Sequence, residues 1–73
     1  MRVIEYKAGY RITIERKRDS DWFVWENLED PTLDDQWLPL NHGEEPSMEL
    51  AELAAKSALL HTVMEEDSDR GQP

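Results

Sequence analysis

The chain has no cysteine among its 73 residues. That excludes a disulfide framework and thiolate metal sites, and leaves the protein indifferent to redox compartment. Long apolar runs are missing too. The opening "MRVIEYKAGYRITIE" never sets more than two apolar residues together, and no stretch approaches the ~18 apolar residues of a membrane span. Neither a secretory leader nor a membrane anchor is read, so a cytoplasmic protein is the expectation. Seventy-three residues suit one small domain, and a chain of this size buries only about 60% of its unfolded surface. A deep catalytic cleft is therefore not expected.

Basic residues are scarce after position 18. Residues 1–18 carry six basic and two acidic residues, or +4, whereas residues 19–73 carry two basic and fifteen acidic residues, or −13. The total is −9. Such a balance supports solubility and pairing between the basic start and its acidic neighbours, and it offers an acidic face to a basic partner.

What is present is a strong alternation. Ile4, Tyr6, Ala8, Tyr10, Ile12 and Ile14 fall on even positions, with Glu5, Lys7, Arg11, Thr13 and Glu15 between them. A period of two predicts a half-buried strand over 4–14, in which Gly9 marks a bulge or a break. "KRDSD" predicts a hairpin turn, and Trp22–Leu28 a second strand. With Asp19 and Ser20 at the turn centre, Lys17 pairs with Trp22, Glu15 with Val24 and Ile14 with Trp25. Phe23 and Trp25 then share the face of Ile12 and Ile14, and Trp22 and Val24 take the other; a slip of one residue exchanges the two sets, so the sequence leaves open which of Trp22 and Trp25 is buried. Trp22 is either covered by the stem of Lys17 or an anchor for a partner.

"EDPTLDD" reads as a turn-rich connection. Asp30, Asp34 and Asp35 lack the spacing of a calcium-binding EF-hand loop. "QWLPLNHG" predicts a short third strand, placed at a sheet edge because Pro39 has no amide proton. Ser47 then caps a helix over "MELAELAAKSALLHTVM". Its expected buried stripe is Leu50, Leu53, Ala54, Ser57, His61 and Met64, with Ala51, Ala58 and Leu60 at the flanks, so that Trp25 and Leu53 are buried together. The polar segment after Met64 has nothing to bury, and residues 67–73 are expected to form a disordered acidic tail.

Candidate chemistry is sparse. His42 and His61 lack metal-ligand spacing, Glu44, Glu45, Glu65 and Glu66 do not form a tuned acid/base pair, and no serine has an evident base. No catalytic, metal or cofactor residues are assigned.

The segments "YRITIE", "WFVWENL" and "SMELAELAAKSAL" resemble a recurrent type of small uncharacterised protein from actinobacteria and their phages. The resemblance covers about residues 10–60 and implies a β-meander with a helix. The sequence departs from that type in having "KRDSD" for a glycine-rich turn and the acidic "EDPTLDD" before the third strand. The same outline is similar to the HicB antitoxin and double-stranded RNA-binding folds, whose functional motifs have no counterpart here.

The reading is an α+β domain over 1–66, a three-stranded antiparallel β-meander with one C-terminal helix packed on one face. Its expected function is a non-enzymatic protein-protein interaction module, of the kind a phage-type acidic inhibitor of a host protein would be, with a basic protein partner. Partner-binding candidates are Trp22, Val24, Asp30, Asp34, Asp35 and Trp37. A homodimer through the spare sheet face is a further option. The alternative is a nucleic-acid-binding module using Arg11, Arg16, Lys17 and Arg18 with Trp22 as a stacking platform, which the net charge opposes.

Overall fold

The computed structural model describes the backbone of residues 1–7 and 9–71 and the side chains of residues 1–6 and 9–64. Ala8 and the tail expected over 67–73 therefore lie wholly or partly outside the described residues. Four strands, β1 (Arg2–Lys7), β2 (Tyr10–Arg16), β3 (Phe23–Glu29) and β4 (Leu38–Glu45), precede one helix, α1 (Met48–Gly71). The strands form a single antiparallel sheet in sequence order.

The sheet has four strands where three were expected, because the alternating segment folds back on itself. Gly9, at φ +87°, lets the chain turn between Lys7 and Tyr10, a conformation that L side chains rarely adopt. Ile4 pairs with Ile12 and Arg2 with Ile14. Up to Glu5 opposite Arg11 the pairing keeps parity, so the even positions of both strands share a face and the hairpin shows the same sequence alternation as one long strand; a bulge next to the turn then sets Lys7 opposite Tyr10.

The second hairpin has the expected register, Glu15 opposite Val24 and Ile14 opposite Trp25. Its turn is closed by the Lys17 amide donating to the Trp22 carbonyl at 2.8 Å, with Asp19 in the left-handed region at φ 59°. Aspartate tolerates that conformation because its short polar side chain bonds locally. Pro39 lies in β4, an edge strand as expected, and a bulge there leaves Leu40 unmatched between Pro39 and Asn41.

Ser47 caps the helix, its Oγ accepting from the Leu50 amide at 3.1 Å. The face that α1 buries differs from the expected one. Ala51, Ala55, Leu59 and Val63 join Ile12, Ile14 and Trp25 in the core, whereas Leu53 is 66% exposed and Leu50, Leu60 and Met64 are exposed as well. The reason lies on the sheet. The Trp25 indole lies so close to the β4 backbone that a methyl group on Gly43 would stand 2.6 Å from its ring. A helix packed on that indole has to bring small residues to the contact.

Polar groups fix the same approach. The Nδ2 of fully buried Asn27 donates to the Ala55 carbonyl at 2.9 Å and to Asn41 Oδ1. Asn41 Nδ2 donates in turn to Thr62 Oγ1 at 3.1 Å, and that hydroxyl donates to the Ala58 carbonyl. This chain ties β3 and β4 to two turns of α1 and sets the rotation of the helix. Its one flaw is Asn27 Oδ1, which is buried with no donor among the described residues, an arrangement that costs about 1–3 kcal/mol.

Candidate functional site

One face of the sheet carries α1 and the other is uncovered. Alternation along the strands places Thr13 and Glu15 of β2, Val24 and Glu26 of β3, and His42 and Glu44 of β4 on the uncovered face. Thr13, Glu15, Val24, Glu26 and His42 together line a shallow hollow. Glu26 stands between Thr13 and His42 as their cross-strand partner, and Glu15 opposes Val24. No ion pair occupies Glu15 or Glu26 among the described residues, so the floor of the hollow is acidic around an apolar centre.

Ion pairs bound this face at both ends. Lys17 Nζ reaches across β3 to Glu44 Oε1 at 2.8 Å, where β3 begins just after Trp22. Trp22 is nevertheless 47% exposed, so the lysine stem leaves much of the indole in water. At the other end Arg11 pairs with Glu5 at 3.8 Å, and its guanidinium carbon lies 4.1 Å from the centre of the Trp37 ring. Stacking of this kind contributes about 0.5–2 kcal/mol.

The six partner-binding candidates divide between these ends. Trp22 and Val24 sit together near the β2–β3 turn, whereas Asp30, Asp34, Asp35 and Trp37 follow β3 at its far end, roughly 25 Å away at ~3.3 Å per residue. Asp30 does not belong to the exposed acidic surface. It is 3% exposed, and its carboxylate accepts from the amides of Asp34 at 3.3 Å and Asp35 at 2.8 Å. Leu33 and Asp35 hold positive φ values of 57° and 66° in this loop, and for leucine such a conformation costs about 1–2 kcal/mol. The Asp30 carboxylate ties two amides of this loop, and the Leu33 amide donates to the Asp30 carbonyl at 3.2 Å. Asp34 and Asp35 are exposed, and Thr32 Oγ1 donates to Asp34 Oδ1.

No group of three His, Asp or Glu side chains is placed to hold a metal ion among the described residues, and no helix among them is long and apolar enough to cross a membrane. The basic hairpin is largely engaged internally. Arg16 donates to the Ser20 carbonyl at 2.9 Å and to Asp21 at 3.1 Å, Lys17 is held by Glu44, and Arg11 by Glu5 and Trp37.

Sequence reasoning singled out Trp22 and Val24 but missed Glu15, Glu26 and His42 beside them. The parity of β2 and β3 carried the signal for the two glutamates. His42 needed the bulge at Leu40, which the sequence does not mark. Comparison with known proteins adds no relative from which a role could be carried over, since no protein-family model, curated protein or solved structure matches the chain.

Proposed function

We propose that this protein is a non-enzymatic interaction module that receives a basic protein partner on the uncovered sheet face, acting as an acidic inhibitor or modulator of that partner. The observation that carries the reading is the hollow in which partly buried Val24 stands with Glu15 and Glu26, two carboxylates with no ion pair among the described residues, with 47% exposed Trp22 two residues along the chain from Val24. Tryptophan is enriched where binding energy concentrates, and uncommitted carboxylates on the same face complement a lysine or arginine brought in by the partner. Internal pairing of Arg11, Arg16 and Lys17 weighs against nucleic acid, because cations already neutralised release fewer counterions on binding.

The test is affinity capture from the native host with the parent protein and two double variants, Glu15→Lys/Glu26→Lys and Asp34→Lys/Asp35→Lys. A protein captured by the parent and by the loop variant, lost by the sheet variant, and released as salt rises matches the reading. A protein retained equally by the sheet variant refutes it. So does a mobility shift of an oligonucleotide by the parent at micromolar concentration in physiological salt.

A further inference from the structure

The hollow on the uncovered face has a definite internal order. Thr13 stands opposite Glu26 and Glu15 opposite Val24, so these side chains mark the corners of a rectangle. The two carboxylates occupy one diagonal, and the threonine hydroxyl and the valine methyls occupy the other. Diagonal neighbours across antiparallel strands lie about 7 Å apart. On β4, His42 and Glu44 border the rectangle opposite Glu26 and Val24. Glu44 is taken by Lys17 at 2.8 Å, whereas the diagonal pair has no cation among the described residues.

On the reading that this face receives a basic partner, we infer that the hollow selects arginine over lysine. One arginine of the partner lies across the diagonal, its guanidinium bonding Glu15 along one edge and Glu26 along another, with its flat face on Val24.

The spacing of the acids is the first reason. A guanidinium carries five N–H donors in a rigid fork, and with N–O distances of ~2.8 Å it joins two carboxylates whose carbons are about 7 Å apart. The diagonal supplies that separation. An ammonium is a single point, and to touch both acids it must draw their oxygens to within about 5 Å of each other. Repulsion between the two carboxylates opposes this.

The apolar corner is the second reason. Val24 is partly buried between the acids, and a cation that spans the diagonal has to leave some of its water behind there. A guanidinium is more weakly hydrated than an ammonium and stacks by its face, so it loses less. The chain's own cations divide in the same way. Arg16 shares its guanidinium between the Ser20 carbonyl at 2.9 Å and the Asp21 carboxylate at 3.1 Å, while Lys17 Nζ ends on the Glu44 carboxylate.

Capped Gly-Arg-Gly and Gly-Lys-Gly peptides, each titrated into the isotope-labelled full chain at low salt, test the inference. Binding is followed by NMR at the methyls of Thr13 and Val24 and the amides of Glu15 and Glu26. The arginine peptide is expected to shift these signals and to bind about 3- to 5-fold more tightly than the lysine peptide, the worth of one further exposed ion pair. Glu15→Gln and Glu26→Gln should each bring the arginine peptide down to the affinity of the lysine peptide, and Asp34→Asn, at the far end of the sheet, should leave the preference intact. Equal affinities in the parent overturn the inference, as does a preference that survives both single variants, or the absence of any shift in the hollow with the arginine peptide. Equal affinities with shifts in the hollow leave the basic-partner reading standing. That reading fails separately, when a captured protein is retained by Glu15→Lys/Glu26→Lys.

Discussion

Replacing Gly43 with alanine would set a methyl carbon 2.6 Å from Trp25 Cζ2, 2.7 Å from Cε2 and 2.8 Å from Nε1. Non-bonded carbons settle at about 3.5–4.0 Å, so the indole would have to retreat by roughly 1 Å. It has little room to do so. On its other side lies the core shared with Ile12, Ile14 and the alanines of α1, and its Nε1 donates to Glu45 Oε2 at 3.4 Å. Overpacking of this kind costs about 1–3 kcal/mol. Gly43 has no positive φ, so alanine fits the backbone there and recovers about 0.4–1 kcal/mol by restricting the unfolded chain. The net loss is about 1–2 kcal/mol. For a domain of this size that lowers the melting temperature by roughly 5–15 °C, read by circular dichroism and by urea titration. Combining the change with Trp25→Leu isolates the contact. In that background Gly43→Ala should be neutral within about 0.5 kcal/mol. If Gly43→Ala alone melts at or above the parent temperature, the indole does not lie over this glycine and the reasoning fails.

Asp30→Ala should release the amides of Asp34 and Asp35, speeding their hydrogen exchange and costing about 1–3 kcal/mol, while Asp34→Ala at an exposed position should change stability by less than about 0.5 kcal/mol. Equal, small effects at both positions would show that the loop does not depend on its buried carboxylate. On the helix, Leu59→Ala should cost about 2–5 kcal/mol and Leu53→Ala about 0.5 kcal/mol or less in dilute monomer. The reverse order, measured by thermal melting, would put α1 on the sheet with its other face.

Much of the sheet was legible in the sequence. Turn chemistry at Asp19 and Ser20 offered the observed register of the β2–β3 hairpin but left a one-residue slip open, which the packing of Trp25 in the core decides, and Pro39 marked an edge strand. Two features were hidden for separate reasons. Alternation on either side of Gly9 is the same for one strand as for a hairpin that pairs Ile4 with Ile12 and Arg2 with Ile14, so strand number was ambiguous until the left-handed glycine resolved it. The helix face was misread because both of its sides are apolar and the bulkier one looks more like a core. Which side is buried depends on the space left by Trp25 over Gly43 and on the reach of Asn27 and Asn41 to the helix backbone, contacts between residues far apart in sequence. Asp30 was read as surface charge for a related reason, since nothing local tells a solvated aspartate from one that organises the loop after it.

Strand order in sequence order has a consequence for how the chain is made. Each strand pairs with the one before it, and hairpins close in about 1–10 μs, so the sheet has the means to assemble as soon as its strands are synthesised. The helix residues that cover it come later. At about 5–20 residues per second, Val63 follows Glu45 by roughly 1–4 s. Until α1 packs, Ile12, Ile14 and Trp25 lack the cover that the helix gives them, and a sheet with open edges is then in the condition under which nascent strands stack on one another. The charged opposite face, with Glu15, Glu26 and Glu44, keeps that stacking confined to one side until the helix arrives.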